Sequence, residues 1–191
     1  MTGDTLQTRE KLPDAVRVLL EAHPRDSWEA KLTQGGLTQF WLQRHLMFRQ
    51  LMGELKGATQ SSLDKRLSPK DFAERLSRYG GFFVQQLHEH HHIEDVHYFP
   101  LLTAKEPRLA RGFELLDGDH QDLDGQLKAF VDQANGVLQA HRGTDNDAVT
   151  TASGRFLTHL SGLERLLDRH LTDEEELIVP ILLEYGESEL G

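Results

Sequence analysis

HHHIEDVHYFP at residues 90–100 and HLTDEEELIVP at residues 170–180 are two copies of one pattern: a histidine, a glutamate four positions later, and a proline six positions after the glutamate. His90, Glu94 and Pro100 each precede their counterparts His170, Glu174 and Pro180 by 80 positions. On a helix, four residues climb about 6 Å and return to nearly the same face, so the histidine and glutamate of each copy can reach one centre. On a strand the pair would stand roughly 13 Å apart and could not converge. The flanking residues favour the helix. Leu87, His90, Glu94 and Tyr98 fall on one helical stripe, and Leu163, Leu166 and Leu167 lead into His170 on another.

Outward from the repeat, helical periodicity accounts for most of the chain. Leu37, Phe40, Trp41, Phe48, Leu51, Met52 and Leu55 predict a first long helix that carries His45 on its apolar side. A polar stretch over 59–67 follows. Ser68 and Pro69 suit the cap and first turn of a second helix, reaching about Ala104 and bent at Gly80-Gly81 or at Pro100. A third is expected from Pro107 to about His141, and a fourth from a cap at Asp147 to about Tyr185, ahead of Gly186. The fold class is therefore all-α, an up-and-down four-helix bundle over 37–186. Residues 1–36, with Pro13, Pro24, Gly35 and Gly36, read as an irregular arm with room for one short helix around Val16 to Leu20, and 187–191 as a tail.

Composition narrows the chemistry. The chain has 191 residues, enough for one domain with a sizeable core. With 31 acidic and 21 basic residues its net charge is −10, which argues against nucleic acid and against anionic membranes. No apolar run approaches the roughly 20 residues of a membrane span, and the N-terminal stretch lacks the apolar core of a signal peptide; a soluble, cytoplasmic protein is expected. There is no cysteine, so disulfides, thiolate ligands and iron–sulfur clusters are excluded and any metal must be held by nitrogen and oxygen.

Each predicted helix carries a histidine on or near its apolar side, namely His45, His90, His120 and His170, and two of the helices add Glu94 and Glu174. Carboxylates can bridge two metal ions about 3.5–4 Å apart while imidazoles fill terminal positions. Such a donor set suits iron best, with manganese or zinc as alternatives, and leaves positions for water, a bridge or a diatomic ligand. Helical neighbours of a ligand point about 100–200° away from it, so His88, His91 and His92 are expected to face solvent or an adjacent helix. His159 is expected to pack, and Asp95, Glu175 and Glu176 to form an acidic face from which one residue could orient a ligating imidazole. Trp41 and Phe48 flank His45 and should line the same interior.

The order of a lone histidine in WLQRHLMFRQ (41–50), H-x-x-x-E followed by FP, a lone histidine in LLDGDHQDLD (115–124), and H-x-x-x-E followed by VP resembles the hemerythrin-like, or HHE cation-binding, family over residues 37–185. The resemblance implies a four-helix bundle around a non-haem pair of iron ions, oxo- or hydroxo-bridged. His45, His90, His120 and His170 would be terminal ligands and Glu94 and Glu174 bridges. It further implies that the chain binds dioxygen, nitric oxide or peroxide for sensing or scavenging, or handles iron. An oxidase, peroxidase or nitric oxide-handling enzyme, and a helical interaction module with structural zinc or no metal, are the alternatives. Oxygen-carrying members of the family have a fifth histidine one turn after the third-helix ligand, where this chain has Asp124. His97, three residues after Glu94, is a second candidate for that role.

Overall fold

The computed structural model describes residues 4–32 and 36–187, and among them it is all-α, a helical bundle without strands. Gly35 and the tail beyond Glu187 lie outside the described residues. The arm holds more structure than one short helix. Two short helices, α1 (Val18–Ala22) and α2 (Trp28–Lys31), alternate with 3₁₀ turns at Asp14–Val16 and Arg25–Ser27.

The first long helix, α3 (Leu37–Leu63), extends through most of the stretch expected to be polar linker. It can do so because Thr59 is buried and satisfies its hydroxyl by donating to the Leu55 carbonyl at 2.8 Å. Its N-terminal amides are capped from far along the chain: Leu37 and Thr38 donate to the Glu187 carboxylate at 2.8 and 3.0 Å. Helix α4 (Pro69–Ile93) begins as expected, with Ser68 Oγ accepting from the Asp71 amide at 3.1 Å. It does not break at Gly80-Gly81. A Cβ at Gly80 would lie 3.2 Å from the Phe130 ring, so that glycine makes room for an aromatic neighbour.

The interruption falls instead at Glu94–Tyr98, one π turn in which the Phe99 amide donates to the Glu94 carbonyl, before α5 (Phe99–Lys105) resumes. Pro100 stands two residues beyond it. Proline has no N–H to give the Val96 carbonyl, and its ring would strike that carbonyl in an α turn; a wider turn accommodates both. After a 3₁₀ turn at Pro107–Leu109, α6 runs over Ala110–Ala140 and α7 over Asn146–Tyr185. The α7 cap is Asp145 rather than Asp147, its Oδ1 accepting from the amides of Asp147 and Ala148 at 2.9 and 3.1 Å. Unlike Pro100, Pro180 sits within a helix that continues. Gly186 then ends α7 with φ +82°, its amide donating to the Leu182 carbonyl at 3.0 Å.

The long helices pass through two compact units, each with its own core. One comprises the described residues up to 46 together with 90–122 and those from 166 onward. Its buried cluster joins Leu12, Val16 and Leu19 of the arm to Trp41, Phe99, Phe113, Leu116, Leu177 and Ile181. The other comprises 47–89 and 123–165. Four helical segments meet there through a chain of rings: Phe48 to Phe83 at 6.4 Å, Phe83 to Phe130 at 5.9 Å and Phe130 to Phe156 at 5.4 Å between centroids. Phe48 thus belongs to this aromatic core.

Candidate metal centre

All six principal ligand candidates lie in the first unit, and all are buried: His45 on α3, His90 at the end of α4, Glu94 opening the π turn, His120 on α6, and His170 and Glu174 on α7. They converge. His45 Nε2 and His90 Nε2 are 3.1 Å apart, His90 Nε2 is 2.9 Å from Glu94 Oε1, and His45 Nε2 is 3.4 Å from Glu174 Oε2. Two donors about 2.1 Å from one ion stand roughly 3.0 Å apart at a right angle and 3.4 Å at a tetrahedral one, so these spacings are those of atoms around a single cation.

A second group adjoins the first. Glu94 Oε2 is 3.6 Å from His120 Nε2, and Glu174 Oε2 is 3.6 Å from His170 Nε2, so each carboxylate of the first group also faces an imidazole of the second. The third member is His91. Its ring stacks on His120 at 4.0 Å and meets His170 edge-on at 5.3 Å. The buried donors therefore sort into His45, His90, Glu94 and Glu174 on one side and His91, His120 and His170 on the other, each set close enough for one ion.

The burial of His91 overturns the expectation that it points away from the centre. A step of 100° does exclude a neighbour from a narrow stripe, but the inward side of α4 is wide enough to carry His90 and His91 together. The repeat gives no signal for it either, since the equivalent position in the second copy is Leu171. His97 and Asp124 are exposed and stand outside both groups, as do the exposed His88 and His92. His159 packs elsewhere, with Nε2 3.3 Å from the Gln126 carbonyl.

The acids following the repeated glutamates have matching tasks. Asp95 Oδ1 lies 2.7 Å from His120 Nδ1, and Glu175 Oε1 lies 3.0 Å from His45 Nδ1. Each copy of the repeat thus orients the lone histidine of another helix by its outer nitrogen and leaves Nε2 facing the centre, an arrangement that fixes the tautomer a metal requires. Asp119 does the same for His170, at 3.4 Å from Nδ1. Trp41 Nε1 donates to Glu174 Oε1 at 2.5 Å, and Phe99 stacks on His120 at 5.4 Å.

Seven of the inner atoms are left without hydrogen bonds. Both Glu94 oxygens, Glu174 Oε2, His120 Nε2, His170 Nε2 and both His91 nitrogens are buried and make none. Each such atom costs about 1–3 kcal/mol unless something satisfies it, so the donor set fits cations better than it fits a void. The electrostatics agree. Burial drives His90 down to about 3, with His45, His170 and His120 adding to it against the pull of Glu174. Burial also lowers His91 and His170, which keeps these rings neutral and their lone pairs available. His45 is desolvated too, but Glu174 and Glu175 outweigh the burial and leave it raised. Burial and the nearby Glu174 push Glu94 well above the carboxylate range, whereas Glu174, equally desolvated, is held well below it by His45, His90 and His170.

No helix among the described residues is long and apolar enough to cross a membrane. The family described as Hemerythrin HHE cation binding domain matches residues 36–182 of the chain. No curated protein and no solved structure gives a significant match.

Proposed function

The chain belongs to the hemerythrin HHE cation-binding domain family, and from that premise we propose that it is a non-haem diiron protein that binds dioxygen or a related small ligand, nitric oxide or peroxide, in sensing, scavenging or iron handling. One observation carries this reading: five buried imidazoles and two buried carboxylates sort into two adjoining groups, in which both Glu94 oxygens, Glu174 Oε2, His120 Nε2, His170 Nε2 and both His91 nitrogens make no hydrogen bond. A pair of iron ions, when bound, supplies exchange of electrons with such a ligand.

The residues divide that task. His45 and His90 would hold one ion, His91, His120 and His170 the other, with Glu94 and Glu174 available to both. The group with two imidazoles has fewer protein nitrogens and keeps more room for a ligand. Trp41 and Tyr98 restrict water around it, and the Trp41 N–H fixes Glu174 Oε1 so that Oε2 stays turned inward. Neutral His90 and His91 present lone pairs without first losing a proton at neutral pH.

The test is iron content with a spectrum. Protein expressed with added iron and purified in air should contain about two irons per chain and absorb in the near ultraviolet through ligand-to-iron charge transfer. Colourless protein without iron would refute the proposal. Reversible spectral change with dioxygen, against steady consumption of peroxide or nitric oxide, separates a binding protein from an enzyme.

A further inference from the structure

Two arginines of the N-terminal arm, outside the stretch that matches the family, reach the acids behind the candidate ligands. Arg9 is buried, with Nε donating to Asp173 Oδ2 at 2.9 Å, Nη1 to Asp119 Oδ1 at 3.2 Å and Nη2 to Asp119 Oδ2 in a short contact. Asp119 Oδ2 is the atom that faces His170 Nδ1. Arg25 Nη2 donates to Glu175 Oε2 at 2.8 Å, and the other oxygen of Glu175 faces His45 Nδ1. The two relays end on different groups, Arg9–Asp119–His170 on the three-histidine side and Arg25–Glu175–His45 on the other.

We propose that the arm is part of the metal centre, with Arg9 and Arg25 as positioning residues that each pin one carboxylate, and through it one histidine ring, of a different ion site. The inference rests on the two-ion reading of the site and assigns a role to a segment the family match does not include. The chemistry is that of oriented ligands. A carboxylate that is free to rotate cannot hold a ring, and a guanidinium, planar and always charged, is suited to fixing one. Arg9 spans two acids, with Asp173 also held by Arg169 Nη2 at 2.6 Å. Arg25 is anchored by stacking on Trp28, its guanidinium carbon 4.8 Å from the ring centroid.

The full chain is titrated with Co²⁺, whose visible absorption reports each binding step without oxygen chemistry. The wild-type chain should take up two ions. Arg9→Gln should weaken one step about tenfold and Arg25→Gln the other by a similar factor, each leaving the remaining step unchanged. Arg25→Lys, which keeps the charge but neither the planar guanidinium nor its stacking on Trp28, should recover only part of the loss. Arg25 is half-exposed, so should Arg9→Gln fail to fold, Arg25→Gln decides the matter alone. Wild-type titration in both variants overturns the inference and leaves the two-ion reading standing. Equal weakening of both steps together with a lower melting temperature of the metal-free chain also overturns it, since that is what a merely structural arm would give. A wild-type chain that binds no Co²⁺ and no iron overturns both.

Discussion

His91→Leu separates a ligand from a packing residue, because the two roles predict opposite signs in the metal-free chain. Both nitrogens of the buried His91 ring lack hydrogen bonds. Leaving a buried polar group unpaired costs about 1–3 kcal/mol. Leucine at 91 removes that penalty and copies the second half of the repeat, where Leu171 is fully buried. Against this stands the stacking of His91 on His120, worth about 0.5–1.5 kcal/mol for an aromatic pair. The net expectation is a gain of about 1 kcal/mol for the metal-free chain, or roughly 2–4 °C in Tm for a protein of this size. With metal the order reverses. An ion present at a hundredfold over its Kd stabilises the native state by about 2.7 kcal/mol, and the variant should lose that increment for one of two ions. Calorimetry or circular dichroism melts with chelator and with Co²⁺ read both effects. A variant that melts lower than wild type without metal, yet shows the full metal-induced shift, would refute the assignment of His91 to the centre.

Glu94→Ala should abolish binding of both ions together, since its two oxygens face His90 at 2.9 Å and His120 at 3.6 Å; one ion retained at wild-type affinity in a metal assay would rule out a bridge. Phe83→Ala, in the aromatic core of the other unit, should cost about 3–5 kcal/mol in chemical denaturation while the folded variant keeps its metal stoichiometry; a cost under about 1 kcal/mol would contradict the ring chain described above. Glu106 is held down to about 2 by hydrogen bonds from Arg108 and Tyr185. A carboxylate with a depressed folded-state pKa adds stability that is fully present above its ordinary value, about 4.3, and is lost as pH falls toward 2. The gap between wild type and Glu106→Gln, screened to about 1 kcal/mol or less, should therefore be constant from pH 7 to 5 and close below about pH 4.5; a gap that widens in acid would be the wrong sign.

The 80-residue repeat was enough to place His90, His170, Glu94 and Glu174 on helices, and helical periodicity added His45 and His120, because a four-residue spacing and an apolar stripe are both local signals. Residues that depend on distant neighbours were not legible in the same way. Arg9 reads as one charge in a polar arm, and its partners Asp119 and Asp173 lie 110 and 164 positions away. His91 breaks the repeat rather than sharing it, so the symmetry that exposed its neighbours concealed it. Pro100 did announce a disturbance, yet the proline marks only the carbonyl it cannot satisfy, and the widened turn begins back at Glu94. Gly80-Gly81 misled in the opposite direction. A glycine pair suggests a bend when its neighbours are unknown, whereas the space above Gly80 is taken by the Phe130 ring. Asp95 and Glu175 were visible as acids beside the repeat, but which imidazole each would orient depended on how the helices pack.

X-ray absorption on the iron-loaded chain tests the central claim most directly, because it reports the donor atoms and the nearest metal neighbour without requiring any reaction. Two ions shared between Glu94 and Glu174 predict a shell of nitrogen and oxygen donors only, about half imidazole, with an iron neighbour at roughly 3.5–4 Å or somewhat less. Iron that shows the same light-atom shell but no metal neighbour would contradict a two-ion centre and leave a single site in its place.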